Sequence, residues 1–501
     1  MEKGSANSGV ALEKVVVRPA KQSEGENTNV EKEEVIPGTP EGKVEVEEKG
    51  PKKKRDGFLS WAVLLAAVCL FTSVSAQEFT VFHYYNAFMN FAENHREFNY
   101  TEVASQMTDW ALPPYYSSIQ ALIIALPVLW LIETKGVRLV FGILAVLTTL
   151  GVGIKAIAAA LHLHIIVVFI GQSLINLSRI GLFPAVHRLC VAWFSRRSIS
   201  VVCAIAFFGD NLGILVGYLT PHLIFWTYDR NKEKFNEFSL HMIILYGIMA
   251  SLAIIFSIIT AFIQSAPKEP SSLAEKLRNE MEKPDQSFIA FLKRLKAMYV
   301  ADFKLVMNSI GFGLTYGLTM MIFHPIRLTV IFEVHEGIKE LDLPITSVII
   351  ACGYIGSLVS GCILDWTRKH HYVARFSILG LFAFHVMLVI SIHAESMYFT
   401  FFCYGGVSLF FAFYMTAAIE YSAERSYPAL ESTSTGILVL TGYVVAGLFS
   451  VLFGTHFTSK KDATLTGFIS TALLSIGALF TIGLEPSFLK RHNAGQDVAA
   501  Y

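Results

Sequence analysis

Long apolar stretches alternate with short polar connections from residue 58 to residue 484. An α-helix rises about 1.5 Å per residue, so about 20 apolar residues cross the ~30 Å hydrocarbon core of a bilayer. Spans 1 to 6 are Phe58–Asn90, Pro113–Ile132, Leu139–Leu163, Ile165–Cys190, Ile199–Phe225 and Met242–Gln264. Spans 7 to 12 are Phe303–Ile326, Pro344–Leu364, Ala374–Ile392, Phe399–Tyr421, Thr433–His456 and Thr464–Leu484. The pattern predicts an all-α membrane protein with twelve transmembrane helices in two six-helix halves, as in secondary transporters.

Composition supports a membrane protein and argues against an enzyme. Of the 501 residues, 53% are hydrophobic and 16% charged, whereas a soluble enzyme would show amphipathic helices or alternating strands. The six cysteines lie inside predicted spans, which favours small buried apolar residues over a disulfide framework or a metal cluster. We find no nucleotide loop, metal-ligand spacing or nucleophile–base set. We therefore predict no enzymatic activity, no cofactor, no bound metal and no nucleic-acid partner.

The polar segments define the domain organisation and the orientation. Residues 1–57 are polar and lack periodicity, which predicts a disordered tail rather than a signal peptide. The halves are expected at 58–265 and 301–485, joined by a central loop at 266–300 and followed by a tail at 486–501. Lys and Arg concentrate on the side of the N-terminal tail, so the positive-inside rule predicts two cytosolic termini. The triplet Asn99-Tyr100-Thr101 is then an external glycosylation acceptor, as expected in the plasma membrane.

Two polar loops occupy equivalent positions in the two halves. The first places Glu133 at the end of span 2, before Lys135 and Arg138. The second places Asp365 at the end of span 8, before Arg368 and Lys369. Both resemble the signature loop of the major facilitator superfamily. The resemblance implies a charge clasp, in which carboxylate, bases and a neighbouring helix terminus hold the cytoplasmic side in one state and separate in the other.

Further motifs narrow this resemblance. They are Gly171-Gln172-Ser173, Gly209-Asp210-Asn211-Leu212-Gly213, Val216-Gly217-Tyr218, Gly356-Ser357-Leu358, Tyr427-Pro428, Glu431-Ser432-Thr433-Ser434 and Lys490-Arg491-His492-Asn493. In this order they resemble the feline leukaemia virus subgroup C receptor family, described as choline, ethanolamine and haem transporters. The resemblance implies a monomeric carrier that moves a small organic solute by alternating access within the lipid bilayer. A receptor or scaffold that keeps the fold but does not transport is the alternative.

The family's choline carriers hold the quaternary ammonium with a tryptophan, a glutamine and a tyrosine. The corresponding positions in this chain are Phe79, Arg179 and Tyr316. Phenylalanine is a weaker cation–π partner than tryptophan, and an arginine that faces the cage repels a cation. The resemblance therefore leaves the substrate open between haem, choline and related solutes.

Charged residues inside the spans are expensive in a bilayer and need a partner or water. The first half contains Glu78, Lys155, Arg179 and Asp210. The family has neutral amides at the positions of Arg179 and Asp210, and opposite charges at both predict that the two pair. Arg179 is then either structural or meets an anionic group such as a carboxylate or a haem propionate. If Asp210 neutralises it, Phe79, Tyr316 and Glu78 are left to hold a cation. For Lys155 we expect snorkelling or a structural bond.

The remaining candidates for substrate binding are His83, Asn211 and Glu420. His83 shares a helix face with Phe79, and Asn211 belongs to the span 5 motif. Glu420 resembles a glutamate of the family and is expected either to line the cavity or to bond the start of span 11.

Overall fold

A computed structural model of the chain describes residues 57–94, 112–161, 165–195, 197–225, 235–281, 285–323, 342–394, 396–453, 460–486 and 490–493. This part of the chain is helical. The first half contains α1 Gly57–Asn94, α2 Leu112–Lys135, α3 Val137–Ala160, α4 Ile165–Trp193, α5 Ile199–Phe225 and α6 Phe235–Thr260. The connection contains α7 Leu273–Glu280 and α8 Phe288–Ala301. The second half contains α9 Phe303–Ile322, α10 Asp342–Thr367, α11 His370–Ala394, α12 Met397–Ser426, α13 Glu431–Phe453 and α14 Lys460–Ile482, with α15 Lys490–Asn493 after it.

Most of these helices meet the length and hydropathy that a bilayer requires. Among the described residues, 10 helices are long and apolar enough to cross a membrane. In α14 the described apolar segment, Gly467–Ile482, is shorter than these ten. The α9 helix is not among the ten either. The prediction of an all-α membrane protein is confirmed, while the count of twelve spans stays a prediction.

Each half has its own apolar core, and the halves meet mainly along three helix pairs, one of which is α4 with α13. In the first half α1 packs on α5 and α6, and α3 packs on α4. In the second half α12 packs on α10 and α11, and α9 packs on α13 and α14. Between the halves, α2 lies along α13 and α5 lies along α10. Residues from α1, α4, α5, α9, α10, α12 and α13 therefore face a common interior.

A close approach of α5 to α1 positions one of the charged candidates. A Cβ atom at Gly213 would lie 2.5 Å from the backbone oxygen of Thr72, so no larger residue fits there. One turn earlier on α5, Asp210 accepts a hydrogen bond from the hydroxyl of Ser75 on α1. The glycine contact thus brings the Asp210 carboxylate into the interior of the first half.

The connection between the halves contains two helices, which the expectation of a central loop did not include. The α7 helix begins at Ser272, whose side-chain oxygen accepts the Glu275 N–H at 3.3 Å. The α8 helix lies beneath α2, where Trp130 Nε1 donates to the Gln286 carbonyl at 2.8 Å. We call the face of the molecule that carries α7 and α8 the central-loop side.

Candidate functional site

A cavity of about 200 Å³ lies between the two halves. Its charged lining comes from the first half, and most of its apolar lining comes from the second. The polar side chains include Glu78, Ser117, Arg179, Asp210 and Asn211. Aromatic rings contribute much of the remaining surface; they belong to Phe183, Phe207, Tyr218, Tyr316, Phe323, Phe411 and Tyr443.

Arg179 lies between two carboxylates at the wall of this cavity. Its Nη2 donates to Asp210 Oδ1 at 3.1 Å and Oδ2 at 3.2 Å, and its Nε–H donates to Oδ1 at 3.3 Å. The structure therefore contains the predicted Arg179–Asp210 pair. It also adds Glu78, whose Oε2 lies 3.0 Å from Arg179 Nε. We call Glu78, Arg179 and Asp210 the charge triad.

The triad has more negative than positive groups. A guanidinium stays protonated in proteins, so two ionised carboxylates around it leave one excess negative charge. Asp210 takes the directed hydrogen bonds, whereas Glu78 Oε2 receives none among the described residues. The contact between Glu78 and Arg179 is thus an ion pair without a directed hydrogen bond. The Glu78 carboxylate is therefore held less tightly than the Asp210 carboxylate.

Aromatic rings face the cavity from the second half. The ring of Tyr316 lies 5.6 Å from Phe312, 6.1 Å from Phe411 and 6.2 Å from Tyr443, measured between centroids. Aromatic faces attract cations, most strongly where water is excluded. A negative cluster opposite aromatic faces is complementary to a small organic cation.

Lys155 lies behind the cavity wall and does not line it. Its fully buried Nζ donates to the Gln77 carbonyl at 3.1 Å and to Gln172 Oε1 at 2.9 Å. The same ammonium lies 5.3 Å from the centre of the Tyr246 ring. Of the two expectations for Lys155, the structural bond is the one observed, and it joins α3 to α1 and α4.

The other predicted site residues divide into three groups. Tyr316 and Asn211 line the cavity together with the triad. The side chains of Phe79 and His83, and the whole of Asn99, lie outside the described residues. Glu420 lies on the central-loop side, and the structure corrects its expected place at the cavity or the start of span 11.

The partners of Glu420 explain that correction. Its Oε2 accepts a hydrogen bond from Arg491 Nη2 at 2.7 Å, and its Oε1 lies 3.3 Å from His187 Nε2. Arg491 also donates to Glu424 at 3.0 Å. The arginine lies in α15, beyond the last apolar stretch, so the apolar pattern gave no reason to place it there.

The second clasp loop joins the two halves. Asp365, at the end of α10, accepts the backbone N–H groups of Ser200 at 3.1 Å and Val201 at 3.0 Å. Those groups are free donors at the start of α5, where a carboxylate also meets the positive end of the helix dipole. Gly361 permits this approach, since a Cβ atom there would lie 3.0 Å from the Ser200 carbonyl oxygen.

The first clasp loop is bound differently. Glu133 forms an ion pair with Arg294 of α8 at 2.6 Å. Lys135 and Arg138 are exposed. The two loops therefore have unlike partners: Glu133 contacts the connection, whereas Asp365 contacts the opposite half.

The α7 helix bridges the halves through a network that sequence reasoning missed. Glu431, at the start of α13, pairs with Arg278 at 2.7 Å and with Arg188 of α4 at 3.4 Å. Glu275 of α7 pairs with the same two arginines. The spacing Ser272-Leu-Ala-Glu275 is a capping box, and it is the signal that predicts this helix. Together with Asp365, these contacts hold the halves against each other on the central-loop side.

Known proteins resemble the chain along most of its length, although no family model matches it. The choline/ethanolamine transporter flvcr2a of Danio rerio is 27% identical over 404 residues, covering 79% of this chain and 82% of that protein. The choline/ethanolamine transporter FLVCR2 of Homo sapiens is 25% identical over 443 residues, covering 87% and 79%. FLVCR1 of Felis catus, with the same description, is 25% identical over 407 residues, covering 79% and 69%.

Solved structures resemble it in fold. The major facilitator superfamily transporter FucP, in the outward conformation, aligns with a TM-score of 0.62 at 12% identity, covering 84% of this chain and 97% of that one. The proton:xylose symporter XylE aligns with a TM-score of 0.65 at 11% identity, covering 88% and 99%. The chain is a multi-pass membrane protein with the major facilitator superfamily fold. Its predicted resemblance to the feline leukaemia virus subgroup C receptor family is confirmed.

Proposed function

We propose that this chain is a monomeric membrane transporter that moves a small organic cation, of the choline or ethanolamine type, by alternating access. The observation that carries the proposal is the charge triad, with two carboxylates around one guanidinium, opposite the aromatic rings of the cavity. The described activities of the curated relatives support the same class of substrate.

The burial of Arg179 supports a cation over an anion, the two classes of substrate that the sequence left open. Its side chain is only 6% exposed, against 8% for Glu78 and 13% for Asp210. An anion that enters the cavity meets a guanidinium already bound by two carboxylates, and it is repelled by both. A cation is instead attracted by the Glu78 carboxylate, which is held less tightly than Asp210, and by the aromatic faces.

The size of the cavity favours a solute with few heavy atoms. Pockets for drug-sized ligands usually measure about 300–1,000 Å³. A cavity of about 200 Å³ favours a solute of the size of choline or ethanolamine over a much larger one such as haem.

Uptake into vesicles that contain the purified chain tests the substrate. We expect saturable uptake of labelled choline or ethanolamine. Two competitors isolate the role of charge: 3,3-dimethylbutanol replaces the ammonium nitrogen of choline by carbon, and glycine betaine adds a carboxylate. Both should compete at least roughly tenfold more weakly than choline, which corresponds to about 1.4 kcal/mol. Equal competition by the neutral analogue would contradict a cation site, and absence of all uptake would favour a receptor or scaffold.

Variants of the triad test its net charge. The double variant Arg179→Gln/Asp210→Asn removes one charge of each sign and keeps the excess negative charge, so choline uptake should persist. Adding Glu78→Gln removes that excess. At ~6 Å and an effective dielectric constant of about 20, one charge is worth roughly 3 kcal/mol, so the apparent affinity for choline should fall by roughly tenfold to a hundredfold. Equal affinities in the double and triple variants would show that Glu78 does not attract the substrate.

The proposed orientation has both termini in the cytosol and Asn99 outside the plasma membrane. It follows from the distribution of Lys and Arg, which places the central-loop side in the cytosol. Glycosidase treatment should increase the gel mobility of the wild type and leave Asn99→Gln unchanged. Labelling of the N-terminal tail from outside intact cells would contradict this orientation and indicate the reverse one.

A further inference from the structure

A histidine, a cysteine and a glutamate from three helices meet on the central-loop side, away from the cavity. They are His187 of α4, Cys203 of α5 and Glu420 of α12, and all three are buried. One potential ligand atom from each lies within 4.8 Å of the others. Because α4 and α5 belong to the first half and α12 to the second, the cluster bridges the halves.

The spacing of these atoms is close to that of a zinc site. Zinc binds histidine nitrogen, cysteine sulfur and carboxylate oxygen at ~2.0–2.3 Å, so two ligands on a tetrahedral ion lie ~3.3–3.8 Å apart. His187 Nε2 and Glu420 Oε1 are already 3.3 Å apart. The Cys203 sulfur, whose separation is at most 4.8 Å, needs to move by about 1 Å to complete the set.

The surroundings fix the orientation of two of the three ligands. His187 Nδ1 lies 2.5 Å from Thr435 Oγ1. In the tautomer whose Nδ1–H donates to this hydroxyl, the Nε2 lone pair faces the cluster and is available to a metal ion. Glu420 Oε2 is held by Arg491, which leaves Oε1 to face His187. Metal-binding histidines and carboxylates are usually oriented by hydrogen bonds of this kind.

We propose that His187, Cys203 and Glu420 bind one divalent ion of the Zn²⁺ class, which joins the two halves on the central-loop side. A thiolate, a carboxylate and a neutral imidazole balance the charge of the ion. The mixed N, S and O ligands select against Mg²⁺ and Ca²⁺, which prefer oxygen alone. Binding requires the thiol of Cys203 to lose its proton to solvent, and the His187 Nε2 proton that faces Glu420 must also leave that nitrogen.

The burial of the cluster determines when the ion can enter. The three side chains become accessible when the halves separate on the central-loop side, and closure then encloses the ion. Bound zinc should therefore stabilise this arrangement of the halves and slow exchange between states. This inference is independent of the proposed substrate, and a negative result leaves the cation proposal intact.

Metal binding by the purified full-length chain tests the site. Calorimetric titration of the metal-free protein with Zn²⁺ should give one ion per chain and a higher Tm. Co²⁺ is the spectroscopic probe, because a cobalt–thiolate bond absorbs in the near ultraviolet. Cys203→Ser should abolish that absorption and weaken Zn²⁺ binding by at least roughly tenfold, the lower end of the loss seen when even a supporting residue is removed. Cys203→Ala replaces it if serine is not tolerated.

Cys403→Ser is the matched control. Cys403 is also buried, on α12, but it is not part of the three-residue cluster. The Cys403→Ser variant should bind Zn²⁺ and Co²⁺ like the wild type. Equal Zn²⁺ affinity in the wild type and both Cys203 variants, or equal binding of Mg²⁺, would overturn the proposal and leave the cluster as a hydrogen-bonded contact between the halves.

Discussion

Arg179→Gln should lower the free energy of unfolding by ~3–5 kcal/mol, because it leaves two buried carboxylates without their shared cation. Thermal melts of the purified protein, followed by fluorescence, measure the loss. The double variant Arg179→Gln/Asp210→Asn should recover only part of it, since Glu78 still lacks a cation. Addition of Glu78→Gln should recover most of the remainder.

An exposed ion pair provides the control for this series. Arg294 and Glu133 have side chains that are 36% and 20% exposed, so Arg294→Gln should cost only about 0.2–1 kcal/mol. If the losses from Arg179→Gln and Asp210→Asn simply add in the double variant, the two residues do not interact. A loss from Arg179→Gln as small as that from Arg294→Gln would show that the triad is well solvated.

Asp365→Asn should favour separation of the halves on the central-loop side. Hydrogen bonds to a charged group contribute about 1.5–3 kcal/mol each, and the amide keeps only one acceptor for the two α5 N–H groups. Loss of one such bond shifts the equilibrium by roughly tenfold or more. The buried thiol of Cys203 is a natural reporter in the metal-free protein, and its rate of alkylation, followed by mass spectrometry of its peptide, should rise by that factor.

Asp302→Asn is the matched control, because Asp302 bonds within one half. It receives two hydrogen bonds of 2.8 Å from Arg425, and both residues belong to the second half. Burial opposes ionisation of Asp302, but the bonds from Arg425 outweigh it and hold the pKa of that carboxyl below its usual value. The Asp302→Asn change should therefore reduce the free energy of unfolding without changing the rate at which Cys203 is alkylated. Equal alkylation rates in the wild type and Asp365→Asn would contradict the role of the clasp.

Hydropathy alone predicts most of the fold, because a bilayer requires long apolar helices whatever their partners. The Arg179–Asp210 pair was also predictable, since opposite charges stand where the resembling family has neutral amides. The direct contact of Glu78 with Arg179 was not predictable. A shift of one residue along a helix turns a side chain by about 100° and decides whether it meets Arg179.

Contacts on the central-loop side were harder to predict because they join residues far apart in sequence. Arg491 and Glu420 are separated by 71 positions, and no periodicity links them. Cys203 was predicted only as a small buried apolar residue, and no sequence motif contains His187. Their approach depends on how α4 and α5 meet α12, which hydropathy does not determine.

The position of Arg491 means that the membrane crossings are not the whole folding unit. A chain shortened at residue 486 would keep every predicted span and every cavity residue, yet it would remove the guanidinium that pairs with both Glu420 and Glu424. A residue that follows the last predicted span thus helps to neutralise a site assembled by much earlier helices.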